Sequence, residues 1–243
     1  MSVTSTNKVN IVIPMAGLGK RFSDVGYSVP KPLLPLGNKT MIEAVIDNLY
    51  YPTFNFIIVA NEHQIDITTL TNLLPEVTIV PVNYVPCGPA KTVLHVENLI
   101  NNNDPLFIVN CDQIIEDFSY VQFENICNYN EVDGVIGVFH STSPKNSYVR
   151  INDNTEVIEV REKQVISNIA TNGLHYWSRG KYFVESAYSM ITNKETYNNE
   201  YYVAPSYNYM VNQGMKVMPY YFNMHFPIGI PVDYENYKTL RNL

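Results

Sequence analysis

The stretch VNIVIPMAGLGKRF, residues 9–22, decides the fold. Val9 to Pro14 is an apolar run of strand length, interrupted only by Asn10, the pattern of a strand covered on both faces. It runs into a loop where Gly17 and Gly19 let backbone amides turn toward an anion, with the cations Lys20 and Arg21 directly after. Phe54 to Ala60 (FNFIIVA) and Pro105 to Asn110 (PLFIVN) repeat the apolar run, so these three segments are expected to be parallel central strands. Between the first two, TMIEAVIDNL sets Met41, Ile42, Val45, Ile46 and Leu49 at helical spacing, behind a Thr40 and Glu43 capping-box pattern. Further helices are expected over 62–73 and 91–100, with a strand over 76–83 between them. This alternation predicts a doubly wound sheet that binds ligands beyond the carboxyl ends of its strands.

From Gly134 onward the pattern changes to short extended segments, 134–140, 147–151, 156–160 and 170–178, separated by turn residues. Helices over 181–191, 205–213 and 231–240, and a strand over 216–222, complete a smaller α+β part. The architecture expected is α/β, a Rossmann-like doubly wound mixed sheet forming one domain over residues 1–243, with halves at about 1–135 and 136–243.

The chain has 243 residues, 46% of them hydrophobic and 16% charged, which is globular composition. No apolar run is long enough to span a bilayer, so a membrane protein is not expected. MSVTSTNKVN has no apolar core of the signal-peptide kind, and the cytoplasm is the expected compartment. A formal charge of -7 argues against nucleic acid as a partner, because tracking a phosphate backbone needs clustered Lys and Arg. Cys87, Cys111 and Cys127 lack metal-ligand or disulfide spacing and are expected to be free thiols. His63, His95, His140, His175 and His225 are scattered, and a surface or hydrogen-bonded structural role is expected for each.

The glycine loop is not a Walker A loop, since Pro14 replaces its first glycine and Arg21 its Ser or Thr. Nor is it a dinucleotide fingerprint: residue 22 is Phe, and no helix is expected to begin directly after the loop. Taken alone, Ala16, Gly17, Leu18, Gly19 and Lys20 suit an ordinary turn as well as a phosphate. Ten residues beyond Arg21, however, lies Lys31 in PKPLLPLGNKTMIE, held between Pro30 and Pro32, which restrain the backbone on both sides.

With that pair the chain resembles the sugar nucleotidyltransferase (nucleotide-sugar pyrophosphorylase) family, marked by a strand, GxGxR, a Pro-Lys pair, a Leu-rich turn and a helix. The resemblance implies a GT-A-like fold with a nucleotide-binding first half and an acceptor-binding second half. It implies that residues 16–20 wrap a nucleoside triphosphate while Arg21 and Lys31 contact its phosphates. VPCGPAKTVLHVENLI resembles the loop against the base, with Gly88 and Ala90 matching and Pro89 a departure. FIVNCDQII resembles the strand-end motif whose aspartate, here Asp112, holds Mg2+ on the phosphates. Mg2+ suits such a place because it takes one or two protein carboxylates and fills its shell with phosphate and water. VIEVREKQVIS resembles the Glu-Lys segment, which implies acceptor roles for Glu162 and Lys163; Gln164 replaces the usual proline. Gly173 in ATNGLHYW matches the glycine against the sugar ring, and Glu200, beside Asn199 and Tyr201, matches an acidic residue near the substrate. A second metal ligand is often found near the C-terminus in an Asp-x-Gly-Thr-Pro segment; this chain has Pro227, with Asp233 nearby as a candidate substitute.

The expected activity is transfer of a nucleotidyl group from a triphosphate to a small phosphorylated acceptor, a sugar 1-phosphate, with Mg2+ as cofactor. A cytidylyltransferase acting on a non-sugar phosphate of amino-acid or choline type is the alternative. A glycosyltransferase would normally carry Asp-x-Asp, whereas Asp112 is followed by Gln113 and Ile114. A non-catalytic nucleotide-sugar binder is favoured only if Pro227 has disabled the metal site. Homo-oligomerisation is open: the tyrosines from Tyr197 to Tyr221 suit a subunit interface, an acceptor pocket or a core.

Overall fold

The computed structural model describes residues 8–243. The expectation that MSVTSTN carries no export signal lies outside the described residues. β1 (Val9–Met15) enters the glycine loop, and one helical turn, α1 (Lys20–Ser23), follows immediately. A helix therefore does begin after the loop, contrary to expectation: Gly19 at φ 62° turns the chain, and the Asp24 amide closes the turn on the Lys20 carbonyl at 2.8 Å. Four residues make only a single turn, so the resemblance to a dinucleotide-binding helix goes no further.

A 3-10 turn at Lys31–Leu33 and the two-residue strands β2 (Pro35–Leu36) and β3 (Lys39–Thr40) lead to α2 (Met41–Leu49). Its capping box is present: the Thr40 amide donates to Glu43 Oε2 at 2.7 Å and the Glu43 amide to Thr40 Oγ1 at 3.4 Å. All five residues of its apolar stripe are buried. Next come β4 (Phe54–Asn61), α3 (Ile67–Leu73), β5 (Thr78–Val82), α4 (Pro89–Leu94), α5 (Glu97–Ile100), β6 (Leu106–Val109) and β7 (Gln113–Ile115). α3 starts later than its pattern predicts because Asp66 caps it, Oδ2 accepting from the Thr69 amide at 2.9 Å. The helix expected over 91–100 is two pieces, parted at Val96, whose φ of -112° and ψ of 22° leave helical values. α6 (Tyr120–Asn130) has no counterpart in the sequence reading, since Tyr120, Phe123 and Cys127 are its only buried residues and a stripe that narrow is hard to see.

The second half contains β8 (Gly134–His140), β9 (Tyr148–Ile151), β10 (Val157–Arg161), β11 (Ile169–Trp177) and α7 (Gly180–Thr192). A 3-10 turn, Ala204–Ser206, then opens α8 (Tyr207–Asn212), followed by β12 (Val217–Tyr221), β13 (His225–Pro227) and α9 (Pro231–Arg241). Among the described residues one nine-stranded mixed sheet runs β10-β9-β11-β6-β1-β4-β5, with β8 on β11 and β12 on β8. β1 is parallel to both β4 and β6, whereas β11 is antiparallel to β6. The carboxyl ends of β1 and β6 therefore lie side by side, which brings the glycine loop next to Asp112.

Apolar layers cover both faces of the sheet at β1: Ile11 and Ile13 pack with α2 and Phe107, while Val12 packs with Ile57 and Trp177. Of the tyrosines in the 197–221 segment, Tyr207 belongs to the core, stacked on Trp177 at 4.6 Å and 11°. Among the described residues no helix is long and apolar enough to cross a membrane.

His175 departs from the role expected of the histidines. It is buried on β11 beside Trp177 and Tyr207, its Nδ1 has no hydrogen-bond partner, and burial lowers its pKa to about 3. An unfolded histidine takes up its proton near pH 6.5, so this group's contribution to stability is complete above that pH and declines as pH falls toward 3. The loss by pH 5 is about 2 kcal/mol. Thermal melts of wild type and His175→Gln at pH 7.5 and pH 5 are expected to differ in slope, the variant losing less of its melting temperature in acid. Parallel losses would contradict this.

Candidate active site

The loop after β1 walls a cavity of about 460 Å³ whose opposite side is Val85, Pro86, Gly88 and Pro89. Gly17, Leu18, Gly19 and Lys20 are exposed on it; Ala16 lines it from below and is itself buried. Gly88, at φ 98°, is where this wall meets a second segment: a Cβ there would lie 2.5 Å from the backbone N and O of Tyr201. The two backbones are laced together, Tyr201 N donating to Cys87 O at 2.9 Å and Ala90 N to Tyr201 O at 3.0 Å. Ala90 is thus fully buried with its amide already used, and the structure places it behind the wall as an anchor. Glu200, from the same second segment, lines the cavity.

Lys31 and Asp112 meet at the floor, Nζ to Oδ2 at 2.6 Å. Burial acts against the lysine's charge, but the Cys111 sulfur and the Asp112 carboxylate hold its pKa above the usual value. Gly229 closes over the same carboxylate, and a Cβ there would come within 2.5 Å of Asp112 Oδ2. Ile228 N donates to Asp112 O at 2.9 Å, and in the β7–β13 ladder Pro227 stands opposite Gln113. Asp233, in the first turn of α9, shares a cavity with Asp112. Among the described residues no group of three or more His, Cys, Asp and Glu could hold a metal ion. The carboxylates on this cavity are Asp112, whose Oδ2 is paired with Lys31, and Asp233; so small a donor set suits Mg2+, which keeps most of its shell in phosphate and water.

A larger cavity of about 620 Å³ opens beside Asp112, with Arg21, Asn110, Lys145, Lys163 and Asp233 among its lining residues. An adjoining recess of about 310 Å³ adds Glu162, Gly173, His175 and Tyr202. Arg21 lines the glycine-loop cavity, the larger cavity and the recess, so all three border this one residue. Gly173, at φ 83°, lets β11 pass so close to Asn110 that a Cβ would lie 2.1 Å from its Nδ2. Lys163 sits in the left-handed region at φ 51°. The carboxylate of Glu162 is buried and accepts a hydrogen bond from Ser147 Oγ; burial raises its pKa above the usual carboxylate value.

The structure thus gathers Gly17, Leu18, Gly19, Lys20, Arg21, Lys31, Gly88, Asp112, Glu162, Lys163, Gly173 and Glu200 around connected spaces. The sequence reading missed Lys145, an exposed lysine in the β8–β9 loop with no motif around it. It also missed Tyr202 and the buried amides of Gln113 and Asn172, which line the same region and carry nitrogens without partners.

The family described as Nucleotidyl transferase matches residues 11–223. The chain is 28% identical over 176 residues to the bifunctional protein GlmU of Methanococcus aeolicus, a match covering 69% of the chain and 39% of that relative's length. A crystal structure of a nucleoside-diphosphate-sugar pyrophosphorylase from Vibrio cholerae superposes with a TM-score of 0.81 at 22% identity, covering 93% of this chain and 98% of that one. The inositol-1-phosphate CTP transferase from T. maritima gives 0.73 at 18% identity, covering 97% and 96%. At these identities the structural likeness shows the fold, a mixed α/β sheet of nucleotidyltransferase type.

Because the folded state raises the Glu162 pKa, its contribution to stability is present in acid and is lost as pH rises through that pKa. Glu162→Gln, neutral at every pH, is expected to melt above wild type at pH 8, with the gap narrowing as pH falls through the carboxylate range. A variant melting below wild type at pH 8 would contradict the burial argument.

Proposed function

Because the chain belongs to the nucleotidyl transferase family, we propose that it transfers a nucleotidyl group from a nucleoside triphosphate to a small phosphorylated acceptor, releasing pyrophosphate. The observation that carries this reading is the placement of Arg21 on the walls of both the glycine-loop cavity and the cavity holding Lys163. A triphosphate along the loop and an acceptor phosphate at Lys163 would meet at one guanidinium.

An oxygen of the acceptor phosphate attacks the α-phosphorus in line, and the bond to the departing pyrophosphate breaks. The nucleophile is already an anion, so no general base is required, and catalysis rests on positioning and charge stabilisation. The loop amides, Lys20 and Arg21 hold the β- and γ-phosphates and stabilise the leaving pyrophosphate. Lys31, fixed on Asp112, supplies positive charge near the α-phosphate. Lys163 holds the attacking phosphate, with Lys145 at the rim of the same space. Mg2+ brought by the phosphates would be held by Asp112 and would neutralise charge on the reacting oxygens.

The acceptor in this reading is a sugar 1-phosphate. The lining of the larger cavity is rich in neutral polar side chains, Asn110, Gln113, Asn146, Thr171 and Asn172 among them. A wall of that kind suits a ligand rich in hydroxyls better than a quaternary ammonium group. Hydroxyl-rich acceptors include cyclitol phosphates, so a cytidylyltransferase acting on a non-sugar phosphate is the second reading.

Pyrophosphate release, assayed with each common triphosphate against sugar, cyclitol, choline and amino-acid phosphates, tests the proposal; no release with any pair would refute it. Arg21→Ala and Asp112→Ala are each expected to lower turnover by about a hundredfold or more. Gly229→Ala, which displaces the Asp112 carboxylate, is expected to cost about tenfold to a hundredfold in turnover with the fold retained by circular dichroism. Full activity in all three variants would exclude this site.

A further inference from the structure

Lys163 is held by residues 197–202, the segment that also carries Glu200. Residues 197–200 form a tight turn in which Tyr197 N donates to Glu200 O and Glu200 N to Tyr197 O, both at 3.0 Å. Asn198 and Asn199 both take positive φ, 51° and 62°, the type I′ conformation for which asparagine is among the best residues. The segment is also pinned from outside, since Tyr201 is laced to the Cys87 and Ala90 backbone and the Lys91 ammonium lies 4.9 Å from its ring centroid. Val203 and Ala204, which follow, are buried in the core. It is a rigid strap stretched between the loop at Gly88 and the cavity of Lys163.

The strap presents two rings to one ammonium. Lys163 Nζ lies 5.1 Å from the Tyr197 ring centroid and 4.9 Å from that of Tyr202, and it donates to the Tyr202 hydroxyl at 3.2 Å. The rings meet edge to face, 6.3 Å apart at 76°. Tyr202 in turn donates to Glu200 Oε2 at 2.7 Å, and Glu200 lines the glycine-loop cavity. Among the described residues no carboxylate lies within salt-bridge distance of Lys163. Aromatic faces attract a cation without neutralising it, so this lysine is oriented while its charge stays available to an anion.

We propose that Tyr202, helped by Tyr197 and locked by Glu200, is the positioning residue for Lys163, so that the strap bordering the nucleotide cavity also sets where the acceptor phosphate is held. The proposal rests on the nucleotidyl-transfer reading for its catalytic consequence, but the box itself does not. A free lysine carries several rotatable bonds, and fixing it in advance removes an entropic cost that the acceptor would otherwise bear on binding.

A double-mutant cycle tests this in the pyrophosphate-release assay. Tyr202→Phe keeps the ring and loses the hydroxyl; it is expected to lower kcat/KM for the acceptor about tenfold, with KM for the triphosphate unchanged. Tyr202→Leu is expected to approach Lys163→Met. Within the Lys163→Met background, Tyr202→Phe is expected to have almost no further effect; a full multiplicative loss there would overturn the proposal. A second readout does not depend on activity: with lysines carrying 13C-dimethyl labels, the NMR signal missing from Lys163→Met is expected to stand apart from the exposed-lysine position, because the Tyr202 hydroxyl and the Tyr197 ring hold the ammonium in one place, and to return to that position in Tyr202→Leu. A wild-type signal already at the exposed position would also overturn it. A displaced signal in a protein that releases no pyrophosphate with any substrate pair would leave the box standing and refute the reaction.

Discussion

The ion pair between Lys31 and Asp112 joins the two segments on which the site depends. One is locked by Pro30 and Pro32 between the glycine loop and α2, and the other caps β6 at the middle of the sheet. Each partner is partly buried, so removing one would leave the other's charge poorly solvated at the floor of the cavity. Gly19 of the glycine loop passes Lys31 with room to spare, since even an added Cβ would stay 3.7 Å from Lys31 Cβ.

Close backbone approach is the second device, and it recurs wherever one cavity wall meets another segment. Gly229 faces the Asp112 carboxylate, Gly173 faces the Asn110 amide, and Gly88 faces the Tyr201 backbone, each with no room for a Cβ. Pro227 takes on a different meaning in this setting. It stands opposite Gln113 in a short ladder that brings Gly229 onto Asp112, so this segment packs directly against that carboxylate. Asp233 remains in the same cavity, at the start of α9.

The cations around the cavity are divided in a chemically useful way. Lys31 shares its charge with the Asp112 carboxylate, whereas Lys163 is held by a tyrosine hydroxyl and two rings and Arg21 stands exposed on all three cavities. Charge meant for an incoming anion is best held without a competing counterion, and a tyrosine box achieves that. The strap carrying the box is bonded to the loop that walls the glycine-loop cavity, so the halves of the chain are continuous at the site although they differ in architecture.

The apolar runs at Val9, Phe54 and Pro105 fixed the strands and their parallel order, because a strand buried on both faces can be written in few other ways. The glycine loop was legible as a tight turn because few residues allow its backbone geometry, whereas Lys31 and Asp112 were singled out only by resemblance, and it is the fold that pairs them. α6 was not legible, since its stripe of Tyr120, Phe123 and Cys127 becomes an apolar face only against Phe107 and Tyr176. Nor could sequence separate the three readings of the tyrosine-rich segment: folding sends Tyr207 under Trp177 and sets Tyr197 and Tyr202 around Lys163. By itself the sequence determined the central strands, through their apolar runs, and α2 with its cap and the glycine turn, whose hydrogen bonds close within a few residues. Only the tertiary structure decided which distant side chains share a charge, a ring face or a cavity wall, because those contacts span the sheet and no spacing along the chain encodes them.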